Sequence, residues 1–269
     1  MVVDLSVNAY FDNRSIYYLD EGDGPALIFV PGTLSDHSLW SQVTSELNRY
    51  RRLSLEVRDS GKSDMADKPY TAQDLSEDVI AVMDVAKIDK AIIIGHSLGG
   101  VVAQELAASA PQRCSGLVLC STWAKTGILH KSVFELWLAA RSNLSYEHFL
   151  QLMFLCGAGR TLRKEIPLSG FAADFAETTP TQTPEAFGRQ VAANLAVDTL
   201  SRIGKISCPT LIVAGTEDFL FDHTDQKVLA ANIPDSKLEF IPGAGHCPPI
   251  EQPKAFLAAI GPFLESCTD

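Results

Sequence analysis

Residues 91–100 read Ala-Ile-Ile-Ile-Gly-His-Ser-Leu-Gly-Gly, an apolar run that stops at Gly-X-Ser-X-Gly and passes directly into a helix-forming stretch, Val101 to Ser109. This is the pattern of a nucleophile elbow, a sharp strand-to-helix turn that holds a serine in a strained backbone conformation. Only small neighbours fit two residues to either side, where Gly95 and Gly99 stand. Ser97 is therefore the candidate nucleophile. A bare Gly-X-Ser-X-Gly also occurs in loops, where the serine merely caps a turn. Here the flanks decide: Ile92 to Ile94 suit a strand buried on both faces, and Val101, Val102 and Leu106 recur on a helical period until Pro111.

A serine hydroxyl is a weak nucleophile and needs a base within hydrogen-bond reach, itself oriented by a carboxylate. Two later segments offer candidates. Ile212-Val-Ala-Gly-Thr-Glu-Asp218 is an apolar strand ending in a turn that presents an acid, and Phe240-Ile-Pro-Gly-Ala-Gly-His246 ends in a Gly-rich loop that presents an imidazole. Glu217 and Asp222 stand close to Asp218, and either serves as the acid if the loop register differs; Asp222 reads equally as a helix cap. Cys247 follows His246 directly, but a residue next to the base points elsewhere and no separate histidine stands ready to activate it. His96 reads as a packing residue beside the elbow. His37, His130, His148 and His223 read as surface residues or members of the inserted segment described below.

The elements that must position these residues alternate along the chain. Leu5 to Tyr10 and Ile16 to Leu19 read as a hairpin around Asp12-Asn13-Arg14, followed by buried strands at Ala26 to Val30, Leu53 to Val57, Leu117 to Cys120, Thr210 to Ala214 and Lys237 to Ile241. Helices are expected over Asp36 to Arg49, capped by Ser35 or Asp36, and over Leu75 to Ala86, capped by Thr71 or Asp74. Two more are expected at Gln226 to Ala231 and Pro253 to Leu264. Such alternation predicts an α/β fold, a mostly parallel, doubly wound eight-stranded sheet with ligands at the strand C-termini. Thr33, Ser97, Asp218 and His246 each lie just past the end of a predicted strand.

Trp123 to Gly204 breaks this rhythm, with helical patterns at Val133 to Arg141, Tyr146 to Cys156 and Pro184 to Ala196 and a Thr- and Pro-rich loop over Thr178 to Pro184. It reads as an inserted helical cap, residues 123–204, on a core formed by 1–122 and 205–269. Trp123, Leu129, Trp137, Phe154 and Phe171 are the candidates to wall an apolar substrate pocket, although cap core is the plainer role for each. Arg141, Arg160, Arg163 and Arg189 are candidates to hold a substrate carboxylate, with solvated cap arginines the plainer reading.

Composition narrows the partners. With 269 residues the chain has the length of one large α/β domain with an insertion. A formal net charge of -11 and a pI near 5.0 argue against binding to nucleic acid. Met1 to Tyr10 lacks the pattern of a signal peptide, and no apolar stretch approaches a bilayer span, so the expectation is a soluble cytoplasmic protein without a membrane partner. The 6 cysteines lack paired spacing and read as buried thiols, not as a zinc motif or a disulfide framework.

The serine, acid and histidine segments, in that chain order, resemble the α/β-hydrolase family over essentially the whole chain. Pro209-Thr-Leu-Ile-Val-Ala-Gly-Thr-Glu-Asp218 and Gly243-Ala-Gly-His246 match the family's acid and base segments, and Glu56-Val-Arg-Asp-Ser-Gly-Lys-Ser63 partly echoes its Asp-X-Arg-Gly-X-Gly-X-Ser loop. The resemblance implies Asp218 as triad acid, His246 as general base, and an oxyanion hole from the backbone N–H groups of Leu98 and Thr33. Many relatives carry His-Gly where this chain has Pro31-Gly32, which removes an imidazole that braces the oxyanion loop while leaving the Thr33 N–H untouched. Glu56 and Asp59 depart from the family's neighbouring pattern. The implied activity is a serine hydrolase, without metal or organic cofactor, that cleaves a small, partly apolar ester or lactone; a serine at the elbow disfavours the dehalogenase and epoxide-hydrolase branches. Rivals are a C–C hydrolase, lyase or perhydrolase with the same triad, a thioesterase or acyltransferase, and a noncatalytic receptor on a hydrolase fold.

Overall fold

In the computed structural model, which describes residues 6–178 and 181–268, the apolar run before Ser97 is a strand buried along its whole length. It is β5 of an eight-stranded sheet: β1 (Ser6–Phe11), β2 (Arg14–Glu21), β3 (Ala26–Val30), β4 (Arg51–Leu55), β5 (Ala91–His96), β6 (Cys114–Cys120), β7 (Thr210–Gly215) and β8 (Ser236–Ile241). The strand order is β1-β2-β4-β3-β5-β6-β7-β8. β2 alone runs against the others, pairing antiparallel with β1 and β4, while every pair from β4 across to β8 is parallel. Because side chains alternate across a strand, Ile93 packs with Ile28, Leu53 and Leu117 on one face, and Ile92 and Ile94 pack with Phe29 and Val118 on the other. Helices Ala72–Val85 and Leu98–Ser109 cover the first face; Trp40 and the helix Pro253–Ser266 cover the second.

Several elements differ from their expected bounds for local reasons. The hairpin turns through Asp12 and Asn13, at φ 46° and 58°, the pair of positive values that a type I′ turn demands, so β2 already starts at Arg14. Instead of one helix from Asp36 to Arg49, the chain forms a 3₁₀ turn, His37–Trp40, and a single helical turn, Ser41–Thr44. Leu39, Val43 and Leu47 have helical spacing, but the side chains of Ser45 and Asn48 donate to the carbonyls of Gln42 and Ser45 and draw the backbone out of a continuous helix. β4 lies at Arg51–Leu55, earlier than Leu53 to Val57, because Arg51 enters the ladder opposite Ala26. Thr71 and Asp74 cap the helix Ala72–Val85 together, each accepting from the other's backbone N–H.

Between β6 and β7 lie the helices Ile128–Asn143, Tyr146–Gly157, Leu168–Thr178 and Pro184–Leu195, followed by a single helical turn, Leu200–Ile203. The third of these was absent from the sequence expectation. The loop expected over Thr178 to Pro184 falls partly on residues 179–180, outside the described residues. No helix among the described residues is long and apolar enough to cross a membrane.

The backbone is packed closely at the sheet's centre. A Cβ on Gly99 would stand 2.1 Å from the Val30 carbonyl oxygen and 2.6 Å from that of Pro31, and one on Gly95 would stand 2.2 Å from the Gly99 oxygen. The elbow helix therefore rests directly on the end of β3. His96, last in β5, ties this centre to the loop after β8: its Nε2 donates to the His246 carbonyl oxygen at 2.8 Å, while Nδ1 lies buried without a partner. Burial pushes the His96 imidazole down to about 3, with His246 adding to the effect, so the ring is neutral in the fold.

Two outcomes follow. Gly99→Ala costs about 3 kcal/mol or more, because the methyl meets backbone that cannot yield; the check is the urea midpoint of unfolding. His96, neutral when folded, takes up a proton in the unfolded chain below its ordinary value of about 6.5, so the unfolded state binds more protons and stability rises with pH between 5 and 6.5. Urea titrations across that window show a shallower rise in His96→Asn.

Candidate active site

Ser97 occupies the step between β5 and its helix, at φ 53° and ψ -120°. For a residue with a Cβ this conformation is costly, and it persists because the surroundings over-determine it. The Ser97 N–H donates to the Cys120 oxygen at 3.0 Å, and the Ser97 carbonyl accepts from the Thr122 hydroxyl at 2.7 Å and the Gly100 N–H at 2.9 Å. Leu98 opens the helix, where an N–H has no intrahelical acceptor.

Asp218 and His246 meet across the ends of β7 and β8. Asp218 Oδ2 lies 3.1 Å from His246 Nδ1, and Oδ1 accepts from the backbone N–H groups of Leu220 at 2.8 Å and Phe221 at 3.2 Å. The Asp218 side chain is only 1% exposed, so three hydrogen bonds replace its lost water. The rival acids are engaged elsewhere: Glu217 accepts from Thr161 N and Oγ1, bonds that hold its carboxyl below the usual range, and Asp222 caps the helix His223–Asn232. Burial, with the Glu251 carboxylate nearby, pushes the Cys247 thiol well above its ordinary range.

The loop that carries His246 is held from three sides. Its N–H donates to the Gly157 oxygen at 2.8 Å, in the segment inserted between β6 and β7, and its carbonyl accepts from His96. Glu251 supplies the third hold, accepting at Oε2 from Gly245 N and Gly159 N, both at 2.8 Å, and at Oε1 from Cys247 N at 2.9 Å. Sequence reasoning missed Glu251, because its partners are main-chain groups that leave no mark on residue type; an acid just beyond a proline pair was the sole trace.

Phe221 was also missed. Its ring lies 5.4 Å from that of His246 and stacks on Trp123 at 4.2 Å, with the His130 ring 5.2 Å away. Trp123 is fully buried, and Phe221 touches both it and His246. Trp137 packs on Phe134 in the main core, and Phe154 stacks on Phe171 at 4.0 Å. Leu129 is 56% exposed.

The departures in the loops after β3 and β4 have their own partners. Glu56 pairs with His37 Nδ1 and accepts from Lys62 N. Asp59 takes a two-pronged contact from Arg189, at 2.8 and 2.6 Å, so this partly exposed guanidinium is paired with a buried carboxylate. Arg141 donates to the Gln182 oxygen and lies over Tyr146 and Phe149. Pro31 leads to Gly32, where a Cβ would stand 2.8 Å from Ser97 Cβ, which places the Thr33 loop directly against the serine. Where an imidazole is missing, the Asn194 side-chain amide holds Thr33 instead, donating to its hydroxyl at 2.9 Å.

Known proteins share this architecture. The chain is 26% identical to a Variovorax paradoxus protein provisionally named as the carbamate hydrolase RutD, over 90% of this chain and 92% of that one. It is 29% identical to 3-oxoadipate enol-lactonase 2 of Acinetobacter baylyi, over 89% and 88% of the two chains. The crystal structure of a hydrolase from Pseudomonas aeruginosa PA01 superposes with a TM-score of 0.86 at 28% identity, covering 97% of this chain and 99% of that one. A model of the alpha/beta hydrolase fold matches residues 25–253, from the start of β3 to the helix that follows His246, and this chain belongs to that family.

Proposed function

We propose that the protein is a serine hydrolase that cleaves a carboxylic ester or lactone of a small, partly apolar molecule through an acyl-enzyme on Ser97. The observation that carries this reading is the strained Ser97 at the end of β5, in the same layer of loops as the His246–Asp218 pair. His246 Nε2 takes the Ser97 proton as Oγ bonds to the substrate carbonyl carbon. Asp218, on Nδ1, stabilises the resulting imidazolium. The negative charge that develops on the carbonyl oxygen is met by the N–H groups of Leu98 and Thr33. Collapse of the tetrahedral adduct breaks the C–O bond, and His246 returns the proton to the departing alkoxide. Water, deprotonated by the same imidazole, then releases the acid and restores the Ser97 hydroxyl. With a lactone the leaving hydroxyl stays tethered to the acyl group, so a single hydroxy acid departs.

Helices 123–204 act in this reading as the cap that shelters the acyl group, with Phe221 and Trp123 as the apolar surroundings of the imidazole. A carbamate carbonyl suits the same sequence of steps, and the likeness to the Variovorax protein makes carbamates the second class to assay.

A fluorophosphonate probe labels the wild type and fails to label Ser97→Ala, whose turnover of short-chain esters and lactones falls by about four orders of magnitude or more. Labelling that survives in Ser97→Ala would remove Ser97 from the reaction. Glu251→Gln lowers kcat by roughly 10- to 100-fold with intact labelling at long incubation, because the base is displaced and not lost; steady-state kinetics beside labelling rates check this.

A further inference from the structure

We infer that Gln190 and Asn194, on the inserted helix Pro184–Leu195, are positioning residues that hold the Thr33 N–H where the carbonyl oxygen develops its charge. This inference rests on the reading of Ser97 as the acyl-forming nucleophile. The loop after β3 has three reasons to need an outside hold. Pro31 has no N–H with which to tether itself. Gly32 lies so close to Ser97 that the loop has no slack on that side. Leu34 sits at φ 59°, a left-handed conformation that a leucine keeps only when its neighbours enforce it.

The helix supplies that hold. Leu34 N–H donates to Gln190 Oε1 at 3.0 Å, so the strained residue is fixed at its backbone. One turn further along, the Asn194 amide brackets the Thr33 hydroxyl, with Nδ2 donating at 2.9 Å and Oδ1 accepting at 3.3 Å. The Gln190 side chain is in turn fixed by donating to Ser60 Oγ at 2.8 Å and the Arg58 oxygen at 3.4 Å. Asn194 is fixed at its backbone, since its carbonyl accepts from Thr126 Oγ1 at 2.6 Å. Gln190 is 0% and Asn194 1% exposed, so neither amide has water as an alternative partner. Arg189 pins the same helix to Asp59, in the loop after β4.

Such a hold acts on the charged intermediate and leaves the bound ester almost untouched, because the oxyanion donors gain their full strength only as charge forms. The test uses the whole protein with p-nitrophenyl acetate as substrate and phenylboronic acid as a tetrahedral mimic that bonds to the serine. Asn194→Ala, and Gln190→Met, which keeps length and packing, each lower kcat by about 10- to 100-fold with KM within about twofold, and weaken phenylboronic acid in parallel. Thr33→Val keeps the backbone donor and removes only its anchor, and it remains informative if a helix variant fails to fold. Combined with Asn194→Ala it adds no further loss, because both remove the same side-chain contact. Unchanged kcat in folded variants, a rise in KM alone, or additive losses would overturn the positioning role while leaving Ser97 in place. A wild type that neither turns over the ester nor reacts with a fluorophosphonate would overturn the reading of Ser97, and this inference with it.

Discussion

The approach of the elbow helix to the end of β3 is the constraint on which the rest of the molecule depends. Gly99 lies against the carbonyls of Val30 and Pro31, and Gly95 against Gly99, so β3, β5 and the helix Leu98–Ser109 can meet only if both positions lack a side chain. At that contact Ser97 takes its positive-φ turn, and the Gly32 backbone lies alongside it. A strained residue of this kind costs on the order of 1–3 kcal/mol. The outlay is met by ordinary burial on both faces of the central strands, where isoleucines, valines and leucines have no contact with water.

Much of this was legible in residue order because strand ends and their glycines are local signals. Ser97, Asp218 and His246 each follow an apolar run, and the structure sets the acid and the imidazole 3.1 Å apart. Residue type alone did not separate the rival acids, since Glu217 and Asp222 flank the same turn; the resemblance favoured Asp218, and the structure shows where each carboxylate is bonded. What remained hidden has a common physical character. Glu251 binds main-chain N–H groups, and any folded segment could have offered them. Gln190 and Asn194 did leave a trace, two amides one turn apart on a helix face otherwise buried through Phe187 and Val191, but such a stripe does not say what lies opposite. The stretch after Asp36 misleads for the opposite reason: its apolar spacing is helical, while the Ser45 and Asn48 side chains satisfy backbone carbonyls that a helix would need.

Apolar side chains of the inserted helices share one core with the sheet, and polar groups add directed links between the two. Arg189, Gln190 and Asn194 reach the loops after β3 and β4, and Glu251 with the Gly157 carbonyl joins the far end of the insertion to the His246 loop. Buried amides and carboxylates are poor adhesives in net energy but strict in direction, since each must find its partners or bear the full cost of desolvation. The apolar core supplies stability with tolerance; these links fix the direction of the loops they hold.

The bond from His246 N–H to the Gly157 carbonyl carries a consequence for how this scaffold can be rebuilt. The insertion is not an interchangeable module, because one of its own carbonyls is part of the mounting of the imidazole. A chimera that imports the corresponding helices from a relative must reproduce that carbonyl, and with it the Glu251 contact at Gly159, or it will trade the new pocket for a loosened histidine. Recombination within the family is therefore freest in stretches such as Ile128–Leu129, whose side chains face solvent, and most restricted at the turn after the helix Tyr146–Gly157.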